Sequence, residues 1–527
     1  MPTFNLLDQP WLPVRWASGA PPSEVGLRQA LLRAHEIEEL ATDNPLETLA
    51  LNRLLAALVA AVYPGGAEPA EWFRLWQLGH FEADALESYL ARFADRFDLL
   101  SPTLPFMGHP QPETAEVSPL TRLRHAATSG NNAVLFSHDL DSQPQPLPAA
   151  EAARAVVCAQ AASLGGGVAK PFNFSHAPLV GGAYFWLRGA VEEQASLFRA
   201  LLLNLSPTAE VWGASSTDLP TWEATKPLPA ERRQVGGIRE LFTFQSRRLA
   251  LVADAQGQVL GVRYNQGSKV ETLLQHDPHL AYRAGKEGEF ALRFQADRSL
   301  WRDSTTYLLH QGSIGGGHAP RTLEWLSRRM LRQLGADQPS AYAVDVFGLV
   351  NDQAKVELWR HERVTIYPAI IKDTDRWQTL KELLDGKQAD QDDATKRAER
   401  LREATRAFAT RARLHKPGNV RLGDVERAER DALVRMLDTE SSYWLALGQK
   451  FDHFLARIAT SPIDQLDQVR TEWQAVIRHA AEQALRTALR SMAQNARTWQ
   501  ALAEAETVLR YGTLYPKSIK SIPTPNP

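Results

Sequence analysis

A chain of 527 residues is too long for one ordinary core and implies about two to four domains. With 44% apolar and 23% charged residues it has the composition of a folded protein, which excludes a largely disordered chain. A formal net charge of -2 excludes long-range attraction of the whole chain for nucleic acid, and a single cysteine, Cys158, excludes an intrachain disulfide or a cysteine-based zinc cluster.

The start of the chain lacks a basic segment followed by an apolar block, so no secretory signal is expected. The most apolar stretch, 49–63, is interrupted by Asn52 and Arg53 and is shorter than a membrane span needs. Together these predict a cytoplasmic protein with no membrane partner. Apolar residues at helical spacing predict a helix over Leu46–Val62, stopped by Pro64-Gly65-Gly66, and a second over Phe81–Phe97. Residues 101–149 read as irregular, with prolines throughout and a polar stretch at Ser129-Gly130-Asn131-Asn132.

Alternation from Arg247 to Tyr264, turning at Gln256-Gly257-Gln258, predicts a β-hairpin. Further strands are expected over Ala341–Leu349 and Lys355–Pro368, separated by Asn351-Asp352-Gln353. After residue 370 the pattern becomes helical: 370–384, Asp393–Leu414, Leu422–Ile458 and Leu466–Met492 each carry an apolar stripe, and Pro462 divides the last two. The fold class expected is α+β: a large mixed N-terminal domain over 1–369, then a C-terminal four-helix bundle over 370–515 and a flexible tail over 516–527.

Catalytic patterns are weak. His35-Glu36 begins like a zinc-protease motif, but Glu39 stands where the second histidine belongs. His276 and His279 flank Asp277-Pro278, and two histidines in such a turn are usually just exposed. Asp373 and Asp375 offer carboxylates for magnesium, yet sit where acidic helix caps are expected. Neither a phosphate-binding loop nor a nucleophile elbow is present. No catalytic residue, metal or cofactor is therefore expected.

Three loops carry more information. Gly165-Gly166-Gly167, before Lys170, is either a helix stop or a bare backbone able to approach a nucleic-acid groove. Lys269 follows Gly267-Ser268 and offers a mobile point charge, or simply a solvated one. Asp352-Gln353-Ala354 puts a glutamine, donor and acceptor at once, at a turn tip that is otherwise an ordinary exposed turn. Basic residues cluster at Lys226, Arg232, Arg233, Arg239, Arg247 and Arg248, and again at Arg321, Arg328, Arg329 and Arg332; they could track phosphates or form solvated faces.

The opening Asn5-Leu6-Leu7-Asp8-Gln9-Pro10-Trp11-Leu12-Pro13-Val14-Arg15 resembles the start of the CasA family, the large subunits of type I-E CRISPR Cascade complexes. Pro105-Phe106-Met107, the glycine run, Leu201-Leu202-Leu203-Asn204, Arg263-Tyr264 before Lys269, and Asn351 to Ala354 followed by Arg360-His361 keep the family's order. This resemblance implies a non-enzymatic subunit. It would recognise the protospacer-adjacent motif of target double-stranded DNA from the minor groove, start unwinding and R-loop formation, and help to recruit the helicase–nuclease. Its partners would be the other Cascade subunits with CRISPR guide RNA, the target DNA and that helicase–nuclease. By resemblance, Gly165 to Gly167 form a glycine loop, Lys269 a lysine finger, and Gln353 with Asp352 and Ala354 a wedge. A further loop contacting DNA or the RNA end resembles Ser129–His138, with Phe136, Ser137 and His138 at its tip. Some relatives carry a cysteine cluster before the Arg-Tyr segment; here that stretch reads Asp254-Ala255-Gln256-Gly257-Gln258, so no structural zinc is expected there.

Overall fold

The protein is described by a computed structural model. It describes residues 2–64, 68–112, 116–124, 145–164, 178–205, 218–273, 276–310, 317–330, 341–352, 355–385, 393–413, 427–490 and 492–512. The chain divides into two units, Met1–Leu300 with Gln311–Pro368, and Trp301–His310 with Ala369–Pro527.

The first unit mixes helices with small sheets. Strands β1 (Leu12–Trp16), β2 (Ser23–Val25) and β3 (Ile37–Leu40) pair in the order β2-β1-β3. The opening string supplies β1 and its anchor: Trp11 is fully buried and its indole N–H donates to the Leu6 carbonyl at 2.9 Å. The Pro45–Val62 helix is capped by Asn44, whose side chain accepts from the Leu46 amide. It is the one helix among the described residues long and apolar enough to cross a membrane, yet most of it is buried inside this unit. Its Asn52 and Arg53, which interrupt the apolar run in the sequence, are themselves buried. The Arg53 guanidinium donates to the Leu241 carbonyl at 3.1 Å and lies over the Phe242 ring.

A second sheet, β13-β12-β4, joins β4 (Tyr184–Ala190) to the hairpin of β12 (Tyr342–Asp352) and β13 (Lys355–Ile366). On β4, both backbone groups of Leu187 are met by Asn204. Its amide oxygen accepts from Leu187 N at 3.0 Å, and its amide nitrogen donates to Leu187 O at 2.7 Å. Asn204 ends the Leu197–Asn204 helix, so the Leu-Leu-Leu-Asn run of the sequence fastens that helix to the strand.

Three smaller pairings complete the unit: β5 (Arg232–Val235) parallel to β8 (Lys269–Leu273), β6 (Arg247–Ala253) antiparallel to β7 (Val259–Gln266), and β9 (Tyr282–Gly285) between β10 (Gly288–Ala291) and β11 (Gly317–His318). The β6–β7 hairpin falls where the alternation predicts it. Its turn is fixed by Asp254, which accepts from the amides of Gln256 and Gln258, and by Gly257 at a φ of 82°.

The second unit is helical among its described residues: Thr374–Asp385, Ala394–Arg413, Arg427–Leu437, Thr439–Thr460, Leu466–Arg490 and Ala496–Tyr511. The α+β class and the helical C-terminal region agree with the sequence reading. Two details differ. The stretch read as one helix to Ile458 is broken at Asp438, whose left-handed backbone (φ 40°) no α-helix can pass through. A further helix, Ala496–Tyr511, packs along Ala394–Arg413, with Arg397 donating to the Leu509 carbonyl at 3.0 Å. It is delimited by an Asn495 cap and by Gly512 at a φ of 76°. Residues 301–310 pack with these helices: the Trp301 ring meets Phe451 at 4.8 Å, and Trp377 donates to the Thr305 carbonyl.

Candidate nucleic-acid interface

Of the sequence-predicted reading residues, Lys269 is described in full and Asp352 through its backbone. Gly165, Gly166, Gly167, Gln353, Ala354, Phe136, Ser137 and His138 lie outside the described residues. What the structure shows is how the segments leading into them are held.

The Ala149–Ala162 helix leads towards the glycine run. Its buried Gln160 donates to the carbonyls of Met107 (2.7 Å) and Arg247 (2.9 Å) and accepts from the Arg247 amide (2.8 Å). The Gln160 carbonyl in turn accepts from the Ser246 hydroxyl at 2.6 Å. Arg247 is only 2% exposed. Its guanidinium donates to the carbonyls of Ser163 (2.8 Å) and Leu164 (3.1 Å) just past the helix end, to the Ser246 carbonyl (2.7 Å), and to the Tyr264 hydroxyl (3.0 Å). A cation at a helix C-terminus satisfies carbonyls that have no partner within the helix and complements its dipole. The end of the helix is therefore tied to both β6 and β7.

The turn between β7 and β8 starts from the same place. Gly267 and Ser268 donate their amides to the carbonyls of Ser246 and Gln245, and the Ser268 hydroxyl donates to the Pro229 carbonyl at 3.0 Å. A Cβ on Gly267 would stand 2.4 Å from the Gln245 carbonyl oxygen and 2.6 Å from the Arg247 nitrogen, both backbone atoms. Gly267→Ala is accordingly expected to lower stability by about 1–3 kcal/mol, measured as a lower urea midpoint. Lys269 follows as the first residue of β8, not as part of a free loop: its amide donates to the Glu231 carbonyl at 2.8 Å and it pairs with Arg232. Its side chain is half-buried and has no carboxylate partner among the described residues.

The segment containing 129–138 has both feet on β7. Ser118 bridges Val262, and Leu147 bridges Val259. Arg122, just inside the first foot, donates to the Ser118 hydroxyl and lies over the Tyr264 ring at 4.9 Å. Three of the four predicted segments thus share the β6–β7 hairpin as their root. The fourth is the tip of the long β12–β13 hairpin, where Asp352 pairs with Lys355 beyond a register shift after Val350. Below the tip the hairpin has its own bracing: Arg360 donates to the carbonyls of Gln295 and Arg298, and Gly348 leaves room for Phe294, whose ring atoms a Cβ would meet at 2.6 Å.

Further down this hairpin lies a charge network that the sequence reading missed. Asp345 accepts from His361 (2.9 Å), Arg363 (2.8 Å) and Arg188 (3.1 Å), and Glu39 pairs with Arg15, Arg188 and Arg363. Burial raises the Asp345 carboxyl, but hydrogen bonds from His361 and Arg363, with the charge of Arg188, outweigh it and hold the group at about 2. These residues line a cavity of about 320 Å³.

In the first predicted basic cluster, four arginines are engaged. Arg233 pairs with Glu240 at 3.3 Å, Arg239 with Asp218 at 3.2 Å, Arg248 donates to the His109 ring, and Arg247 is spent on carbonyls. Of the second cluster, Arg332 and the side chain of Arg329 lie outside the described residues. The residues weighed as metal ligands in the sequence fall in different settings. Asp373 caps the Thr374–Asp385 helix by accepting from the Arg376 amide at 3.0 Å. His279 is fully buried between the rings of Tyr184 and Trp186, while His276 lies on the surface against His318. Burial, and then the His318 ring, lower His276 below the usual imidazole value.

The chain also has recognisable relatives. The family model of CRISPR-associated protein Cse1 matches residues 5–484. A CRISPR-associated protein CasA/Cse1 of Thermus thermophilus is 30% identical over 518 residues, which are 95% of this chain and 96% of that protein. The solved structure of Thermus thermophilus CasA (Cse1) superposes with a TM-score of 0.78 at 28% identity, covering 97% of this chain and 99% of that one. A chain of a CRISPR RNA-guided surveillance complex shares the fold, with a TM-score of 0.75 at 21% identity over 97% of this chain and 100% of its own. The chain therefore belongs to the CRISPR-associated Cse1 (CasA) family.

Proposed function

We propose that this chain is the large subunit of a cytoplasmic, RNA-guided CRISPR Cascade surveillance complex. In this reading it recognises the protospacer-adjacent motif of double-stranded DNA from the minor groove, begins strand separation and R-loop formation, and helps to recruit the helicase–nuclease for antiviral defence. The observation that carries the reading is the common root of the glycine, lysine and 129–138 segments on the β6–β7 hairpin. Recognition elements need a rigid support to act at sub-ångström precision. The family's surveillance-complex relative lends independent support.

The chemistry follows from the groove. The minor groove presents a degenerate donor and acceptor pattern, so a bare backbone and one lysine would read it permissively. A Gln353 side chain entering the base stack would cost a few kcal/mol of unstacking and open the duplex. Pairing with the guide RNA then reads the sequence. With a net charge of -2, the chain would leave most phosphate contacts to its partners. It carries out no chemistry in this reading.

The test is binding of the reconstituted complex, with and without this chain, to duplexes bearing matched or altered flanking motifs. Discrimination is expected only with the chain present. Lys269→Ala should weaken binding to the matched duplex about tenfold, within the about 1–3 kcal/mol of a base contact. Gln353→Ala should slow strand opening more than it weakens capture. Discrimination that persists without the chain would instead make it an architectural adaptor, and metal-dependent cleavage by the chain alone would make it a nuclease.

A further inference from the structure

His276 is separated from its neighbour in space, His318, by 42 residues of chain. Their facing ring nitrogens, Nδ1 of His276 and Nε2 of His318, are 2.9 Å apart. Glu289 Oε2 completes a triangle at 3.5 Å from each. Four tetrahedral donors around a zinc ion, at bonds of about 2.0–2.1 Å, stand about 3.3–3.4 Å from one another. The two edges to Glu289 have that size, and the edge between the imidazoles is about 0.4 Å shorter, a gap that a small outward shift of either ring would close. We propose that His276, Glu289 and His318 form a binding site for a divalent transition-metal ion of the zinc class, with a fourth position open to solvent.

Two alternatives explain less. A simple hydrogen bond between the imidazoles accounts for the short contact but not for a carboxylate oxygen equidistant from both nitrogens. A surface ion pair would need the imidazoles charged, and two imidazolium rings in mutual contact repel. A metal ion satisfies all three groups at once, because it takes neutral imidazole and ionised carboxylate together.

The surroundings hold the donors in place. The Gly317 amide donates to the other oxygen of Glu289, Oε1, at 3.1 Å and leaves Oε2 directed at the histidines. The Tyr282 ring packs against both imidazoles, with centroids 4.4 Å from His276 and 4.8 Å from His318. Sheet register brings the strands together: Glu289 of β10 pairs with Ala284 of β9, and His318 of β11 pairs with Tyr282. Gly317 has a φ of 87°, and a Cβ there would stand 2.4 Å from the Tyr282 carbonyl oxygen, so only glycine delivers His318 to this position. The side chains of His276, Glu289 and His318 are 44%, 34% and 26% exposed, so an ion can enter from solvent. Two imidazoles and one carboxylate favour zinc, cobalt or nickel over magnesium or calcium, which prefer all-oxygen shells. The ion would clip the segment at His276 to β10 and β11.

The experiment uses the full chain, stripped of metal by a chelator and titrated with Co²⁺ and then Zn²⁺. One equivalent of Co²⁺ is expected to develop the visible absorption of a low-symmetry site with nitrogen ligands, to be displaced by Zn²⁺, and to raise the thermal unfolding midpoint. His276→Asn, the most exposed ligand and the least able to disturb folding, should weaken binding more than the about 10- to 100-fold typical of losing an outer partner. Glu289→Gln should act in the same direction. His35→Ala, at a ring that packs against His80, should leave binding unchanged among the 14 histidines of the chain. Equal Co²⁺ and Zn²⁺ binding by the parent chain and by His276→Asn would overturn the proposal, as would the absence of any binding to the parent chain.

Discussion

Asp345→Ala is expected to lower the stability of the first unit by about 3–5 kcal/mol, the cost typical of removing one member of a buried ion cluster. Asp345 is 5% exposed and accepts from three cationic or potentially cationic groups, and Arg188 beside it is 8% exposed. With the carboxylate gone, Arg188 keeps Glu38 and Glu39, Arg363 keeps Glu39, and His361 loses this acceptor. Asp345→Asn isolates the charge from the shape and makes the effect depend on pH. The folded carboxyl is held at about 2, against about 3.9 in an unfolded chain. A carboxyl depressed by folding contributes stability that is complete above the unfolded value and is lost as pH falls through the folded one. The parent chain should therefore lose about 2–3 kcal/mol between about pH 5 and 1 that Asp345→Asn does not lose. Urea titrations at a series of acidic pH values read this directly. Parallel acid limbs in the two proteins would show that the network contributes no such linkage.

Arg247→Met is expected to cost a similar amount, for a different reason. Methionine fills much of the space but leaves the carbonyls of Ser163 and Leu164 without this donor, at about 1–3 kcal/mol for each buried group left unsatisfied, while the Ser246 carbonyl keeps the Gly267 amide. Gln160→Ala attacks the same knot from the helix side, since Gln160 holds both backbone groups of Arg247. The double variant should therefore be less destabilised than the sum of the two single variants, because each change loosens the segment that the other group fastens. Full additivity would mean that the helix end and the hairpin are fastened independently. Under the proposed function, Arg247→Met should also blunt motif discrimination without removing any group that touches DNA.

The elements were legible where burial alone decides structure. Alternation in Arg247–Tyr264 and in the two long strands after 341 reports a sheet with one face inward, and the 3.6-residue stripes after 393 report helices packed on one another. The break at Asp438 was not legible, because the apolar stripe runs through it and the left-handed residue is a carboxylate where glycine is the usual signal. Helix 496–511 buries Ala501, Ala505, Val508 and Leu509, a stripe too small in volume to stand out. Site residues fared less well for a common reason: their roles depend on partners distant in sequence. Arg247 reads as one more basic residue in a cluster, yet it faces carbonyls more than 80 positions earlier. His276 reads as half of a pair with His279, whereas the fold sends His279 into the core and brings His318 across.

The ten residues Trp301–His310 belong to the helical unit although the chain returns to the first unit before the remaining helices begin. Gly448, on the Thr439–Thr460 helix, is where this matters: a Cβ there would stand 2.9 Å from the Trp301 indole nitrogen, so helix and indole are cut to each other's shape. The Trp301 ring also meets Trp444 at 5.8 Å. The helical unit is therefore not a cassette that recombination can exchange at a single junction. A chimera that takes everything after residue 368 from a relative inherits one half of this fit from each parent. Swaps between family members should yield folded protein only when the short upstream segment travels with the helices, or when both parents happen to pair a glycine with a tryptophan at these two places.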